Sequence, residues 1–295
     1  MIGKEYRILF FLFLCFFCLT ACTDDYLAVE EEIVEEKETQ ESYRDLKEWF
    51  GFLCSPQLGG RYSGSEGIEK AVGYISSIIG ESDSLTVYSF ETEKCLMRNI
   101  VFHIEGEIDS LVVFGAHYDA YGYYDKTPLP GGDDNMSGTA VLLSLIKGIQ
   151  RVPIYPKYSI EICFFDGEEI GRYGSNYYLN HCERGIKRYI NIDTCGNKDY
   201  GLVVYYDRKQ PSLQEEFEPF IQSIHDYKIK AAIYNPKGYT TDCECFESAG
   251  IPFVSIQNDT PTRHLHTKED NVSHISFKKL NDLAVNLDQF LRTFN

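Results

Sequence analysis

The run Leu111-Val112-Val113-Phe114-Gly115, followed at once by Ala116-His117-Tyr118-Asp119, sets the fold class. Its apolar part is short and rich in residues that favour a pleated surface, so it reads as a strand ending in a polar loop. The next periodic stretch, Met136–Gln150, puts Val141, Leu142, Leu145 and Ile149 on one stripe of a helix. Ser159–Phe165 then reads as a second strand. Strand, helix, strand is the signature of parallel pairing through a crossover. Outward from this core the alternation continues. Upstream lie a helix over Glu66–Ile79, with Ala71, Ile75, Ile78 and Ile79 inward, and strands over Leu85–Phe90 and Asn99–Ile104. Downstream come a helix over Ser175–Asn180 and strands over Tyr189–Asp193 and Leu202–Tyr206. A helix over Leu213–Ile224, a strand over Phe253–Ile256 and a closing helix over Phe277–Leu291 complete the pattern. The expected fold is a single α/β domain over residues 43–295, with a mixed, mostly parallel sheet flanked by helices.

The formal net charge of −17 excludes a nucleic-acid partner, because a phosphate backbone needs a basic face. Much of the acidity sits before the domain, in Glu30-Glu31-Glu32 and Glu35-Glu36, and residues 22–42 read as a solvated acidic tether. Ahead of it, Lys4 and Arg7 precede the apolar run Ile8–Leu19, which is shorter than the roughly 20 residues that span a bilayer. Residues 1–21 therefore read as an export signal. It ends in Leu19-Thr20-Ala21-Cys22, which resembles a bacterial lipobox, so Cys22 is the expected site of acylation. The expected location is a bacterial cell-envelope membrane, facing the periplasm or the exterior, with membrane contact only through that lipid. Seven cysteines remain after Cys15, Cys18 and Cys22: Cys54, Cys95, Cys163, Cys182, Cys195, Cys243 and Cys245. The odd number requires at least one free thiol or an intermolecular partner, and no pair has zinc-finger spacing. Cys163, inside an apolar run, reads as a small buried hydrophobe.

Chemistry-bearing residues follow the strands, where ligand sites form in open α/β sheets. His117-Tyr118-Asp119 offers an imidazole ligand and a carboxylate to orient it. Gly131-Gly132-Asp133-Asp134-Asn135-Met136-Ser137-Gly138 opens the expected helix. A carboxylate there could bridge two cations or simply cap the helix. Asp166-Gly167-Glu168-Glu169 ends a strand with adjacent carboxylates, a costly arrangement unless cations or a proton offset it. One Glu can bind metal while the other stays free as general base. Asp193 ends a strand, and His266 lies in Arg263-His264-Leu265-His266-Thr267-Lys268-Glu269-Asp270. Each alone is ordinary loop chemistry; the ordered set is not.

That order resembles the co-catalytic dizinc aminopeptidase family, which also includes glutaminyl cyclases and receptor ectodomains. Gly60-Arg61-Tyr62-Ser63-Gly64-Ser65-Glu66-Gly67 and Arg98-Asn99-Ile100-Val101 resemble further family motifs, so the likeness covers nearly everything after Ser42. The resemblance implies two Zn²⁺ per chain, one held by His117 and Asp193 and the other by Glu169 and His266, with Asp134 bridging. It makes Glu168 the general base and Asp119 the residue that orients His117, while Asp133 is left as a helix cap. The implied substrates are peptides, attacked at their N-termini. The sequence assigns neither a preferred N-terminal residue nor an oligomeric state.

One segment departs from the family. Where it usually shows Ser-Asp-His, this chain reads Thr241-Asp242-Cys243, which puts the substrate contacts of that wall in question but not the metals. The alternative enzyme is a one-zinc glutaminyl-peptide cyclotransferase, against which the short Ile170–Ser175 connection speaks. A non-catalytic binding ectodomain would require lost ligands, and all five are present.

Overall fold

A computed structural model describes residues 40–224, 227, 229–234 and 241–293; the expected signal segment and nearly all of the expected tether lie outside them. Ten strands and seven α-helices are described. Helix α1 runs to residue 53 and buries Leu46, Trp49, Phe50 and Leu53. Then come α2 (Glu66–Ile79), β1 (Leu85–Glu91), β2 (Leu96–Ile104), β3 (Ile108–His117) and a small hairpin, β4 (Tyr123–Tyr124) and β5 (Thr127–Pro128). Next are α3 (Gly138–Arg151), β6 (Tyr158–Phe165), α4 (Tyr173–His181), β7 (Gly185–Ile192), β8 (Leu202–Tyr206) and α5 (Ser212–Ser223). The chain closes with β9 (Lys230–Ile233), α6 (Cys243–Ser248), β10 (Phe253–Asn258) and α7 (Phe277–Thr293). The described residues from 46 onward form one compact unit.

Eight strands make one sheet in the order β1-β2-β6-β3-β7-β10-β8-β9. The central strands β6, β3, β7 and β10 run parallel, as do β8 and β9; β1–β2, β2–β6 and β10–β8 are antiparallel. The expected mixed sheet is therefore present. From Leu111 to His117 every residue of β3 is buried, as befits a strand covered on both faces. The crossover β3–α3–β6 moves one way along the sheet and β6–α4–β7 moves the other, so right-handed connections put α3 and α4 on opposite faces. On one face α3 packs against α7 and α2, and α5 against α7. On the other, α4 and α6 cover Leu111, Val113, Phe165 and Tyr189. Cys163 is buried there, as expected, and all seven cysteines of the domain are free thiols.

Local signals set most element ends. Ser65 accepts the N–H of Ile68 at 3.2 Å and starts α2, whose stripe buries Ile68, Ala71, Ile75 and Ile79. Ile78, expected inward, is only half-buried, and Ile68 takes its place. The helix expected from Met136 starts regularly only at Gly138; residues 132–137 form a distorted turn with non-helical backbone at Asp134 and Asn135. Gly138 is required there, since a Cβ would sit 2.2 Å from the Ile192 carbonyl oxygen.

Candidate metal centre

The register brings the site residues together. His117 pairs with Phe165 across β3 and β6, so Asp166–Glu169 emerge beside it. Gly115 pairs with Asn191 across β3 and β7, which sets Asp193 level with His117 two residues on. Asp134 arrives from the distorted turn before α3, and His266 from the loop after β10.

All five expected ligands converge. His117, Asp134 and Asp193 form one group able to hold a metal ion, and Asp134, Glu169 and His266 form a second. Asp134 belongs to both. His117 Nε2 lies 3.2 Å from Asp134 Oδ1 and 3.7 Å from Asp193 Oδ1. His266 Nε2 lies 3.1 Å from Asp134 Oδ2 and 3.0 Å from Glu169 Oε2. His117 Nδ1 faces the other way, 3.3 Å from Asp119 Oδ1 but without hydrogen-bond geometry. Asp119 in turn accepts the backbone N–H groups of Glu168 and Glu169, each at 3.2 Å. One buried carboxylate thus faces an imidazole and fixes the backbone of the Glu pair. Glu168 borders a cavity of about 860 Å³ whose floor is His117, Asp134, Glu169 and Asp193.

Electrostatics at this point are strained by like charge. Burial pushes Glu168 well above the usual carboxylate range; His117 opposes this, while Asp242, Asp193 and Glu169 add to it. Burial, then the Asp134 charge, pushes Glu169 to about 7. Burial works to lower the His117 imidazole, yet Asp119, Asp134 and Asp193 outweigh it and hold its pKa well above normal. Burial would raise Asp134, but His117 and His266 hold it below the usual range. Positive charge is what this cluster demands. Divalent cations fit the donors: the set mixes imidazole and carboxylate, which suits Zn²⁺, and buried Glu169 Oε1 has no hydrogen-bond partner.

A supporting layer escaped the sequence reading. Arg61, buried on the segment before α2, donates to the carbonyls of Tyr118 and Leu53 at 2.8 and 2.7 Å, and to those of Pro130 and Gly131 at 2.8 Å each. It ties the loop after His117 to the turn before Asp134. Asp270 accepts the N–H groups of Asp133 and Asp134 at 2.7 and 3.1 Å. Asp133 is not the helix cap expected. Its carboxylate accepts from Gly196 N–H, Asn258 Nδ2 and Thr262 Oγ1 at 2.7, 2.7 and 2.6 Å, joining the loops after β7 and β10. The contact at the start of α3 belongs to Asn135, whose Oδ1 accepts the Gly138 N–H at 2.9 Å. Lys279 on α7 completes the frame, donating to the carbonyls of Asn197 and Tyr200 at 2.5 and 3.0 Å and to Asn258 Oδ1 at 3.2 Å. Arg61 in the Gly60–Gly67 motif and Asp270 at the end of the Arg263–Asp270 run were visible in the sequence without an assigned role.

Comparisons agree with the geometry. The family model for Peptidase family M28 matches residues 99–291. Leucine aminopeptidase 1 of Trichophyton rubrum is 29% identical over 202 residues, covering 61% of this chain and 53% of that protein. The chain spans about half the length of the curated relatives it matches. Among solved structures, a Zn-dependent exopeptidase from Parabacteroides distasonis superposes with TM-score 0.69 at 18% identity, covering 86% of this chain and 97% of that one. A glutaminyl cyclase from Bacteroides thetaiotaomicron gives TM-score 0.69 at 17% identity, covering 87% and 98%. The matched segment takes in His117, Asp134, Glu168, Glu169, Asp193 and His266, and the chain belongs to peptidase family M28.

Proposed function

We propose that this protein is a zinc-dependent aminopeptidase that removes N-terminal residues from peptides. The observation that carries this reading is the pair of three-residue groups sharing Asp134, with Glu168 beside them at the cavity and outside both groups. In this reading His117 and Asp193 would hold one Zn²⁺, Glu169 and His266 would hold the other, and Asp134 would serve both. Bound zinc supplies Lewis acidity, lowering the pKa of water and offsetting negative charge on the carbonyl oxygen under attack.

The chain's own residues do the rest. Asp119 faces His117 Nδ1, which favours the tautomer with Nε2 free toward Asp134 and Asp193. Glu168, at the cavity and outside both metal-holding groups, takes a proton from the attacking water and returns it to the departing amine. The free ammonium of the substrate lies against the acidic floor, which confines cleavage to the N-terminal bond.

A cyclase reading draws on the glutaminyl cyclase fold neighbour. It needs one metal, whereas two groups here could each hold an ion, which favours the peptidase. The test is a panel of aminoacyl p-nitroanilides beside a glutaminyl peptide, with and without chelator. Chelator-sensitive release of p-nitroaniline supports the aminopeptidase; cyclisation without hydrolysis overturns it. We further propose that the protein is exported and held at a cell-envelope membrane through lipid on Cys22.

A further inference from the structure

The cavity over the metal centre carries a charge that hydrolysis itself does not use. Two guanidinium groups line it, from Arg172 and Arg263. Arg172 Nη1 lies 3.2 Å from Glu244 Oε2, so its charge is already matched. Arg263 is exposed and has no ion pair among the described residues. It stands three residues before His266, on a loop anchored by Thr262 Oγ1 to Asp133 Oδ2 at 2.6 Å and closed by Thr267 Oγ1 to the His264 carbonyl at 2.8 Å. The loop that brings an imidazole to the acidic floor therefore also brings a cation to the cavity wall.

The remainder of the wall mixes polar and apolar residues. Tyr205, Tyr234, Thr241 and Gln257 line it, and the aliphatic residues of its lining are Pro261 and Leu265. The Tyr205 and Tyr234 rings, Pro261 and Leu265 offer apolar contact to any side chain, so what distinguishes this wall is its cation with no ion pair among the described residues. A substrate carboxylate needs a cation that the metal-holding carboxylates of the floor do not already match. Arg263 supplies that cation, with a planar fork that matches a carboxylate.

We propose that the cavity selects substrates carrying a carboxylate close to the cleaved N-terminus, with Arg263 as its counter-charge. The inference rests on the aminopeptidase reading above. Ammonium at the floor and carboxylate at Arg263 match the two charges of a zwitterion within one cavity. An acidic side chain and the C-terminal carboxylate of a dipeptide both offer this chemistry.

The experiment compares kcat/KM at saturating zinc for glutamyl, alanyl and leucyl p-nitroanilide, and for alanyl-alanine against its C-terminal amide, in wild type and Arg263→Gln. At least one carboxylate-bearing substrate should exceed its neutral counterpart by about tenfold, the effect of one charge-assisted hydrogen bond, and Arg263→Gln should bring that ratio close to one. Preference within the anilides assigns the carboxylate to a side chain; preference for the free dipeptide over its amide assigns it to the C-terminus. Leucyl substrate ranked first, with ratios unmoved by Arg263→Gln, overturns the inference and leaves the hydrolase intact. No hydrolysis of any substrate overturns the aminopeptidase reading and this inference with it.

Discussion

Tyr121 lies flat against His266, the ring centroids 4.1 Å apart and the planes 9° from parallel. His266 needs such support. Its side chain is 42% exposed and its φ is +57°, whereas His117, the other imidazole of the centre, is almost fully buried. Tyr121→Ala should free the ring and weaken zinc at the Glu169–His266 group by about tenfold, within the range for residues that orient ligands. Tyr121→Phe keeps the stacking surface and should keep the affinity. Chelator competition on the zinc-loaded protein measures both; equal losses would show that the hydroxyl, and not the stack, matters.

Asp119 serves two masters, the His117 ring and the backbone of the Glu pair. Asp119→Asn keeps the shape but replaces one acceptor oxygen with a donor that faces a backbone N–H or an imidazole N–H. Zinc affinity should fall about 10- to 100-fold, and turnover should remain reduced after zinc is restored by raising its concentration. Full recovery of turnover by zinc alone would confine Asp119 to holding His117.

Arg61 is the frame's keystone by hydrogen-bond count rather than by charge pairing. Arg61→Met would leave the carbonyls of Leu53, Tyr118, Pro130 and Gly131 without their donor in a buried place. The expected cost is about 3–5 kcal/mol, read in thermal unfolding as a drop of roughly 10 °C in Tm. A shift of only a degree or two would mean that water replaces the guanidinium.

Sequence showed the elements whose signals are local. Glu66–Ile79 and Leu202–Tyr206 match their expected ranges to the residue, because a Ser cap with an apolar stripe and a short β-branched run each carry their own evidence. α6 and β9 went unread, being six and four residues long and too short for periodicity to register. The five expected ligands converge because each sits at a strand end or loop that the parallel sheet gathers on one side. Asp133 was misread for the opposite reason. Its partners Gly196, Asn258 and Thr262 are distant in sequence, so a residue at the head of a helix looks like a cap until the loops are folded around it. Arg61, Asp270 and Lys279 bond mainly to backbone, which leaves no pattern of side chains to read.

Acylation at Cys22 predicts that Cys22→Ser releases the protein from the membrane fraction, because the acceptor thiol is lost. Fractionation of a labelled chain at high salt tests it. Retention of the variant with membranes would defeat the lipid anchor.

Division of labour within the Glu pair is the centre of the account, and zinc content measured beside turnover in Glu168→Gln and Glu169→Gln tests it most directly. Wild type should hold about two zinc ions per chain at saturation. Glu168→Gln should keep that content while kcat falls by roughly 10²–10⁴, since added metal cannot replace a lost proton acceptor. Glu169→Gln should lose zinc from one group and regain part of its activity as zinc is raised, because a neutral amide is a poor zinc ligand. If Glu168→Gln loses zinc while Glu169→Gln keeps it, the roles are reversed; if Glu168→Gln turns over at the wild-type rate, the proposed mechanism is wrong.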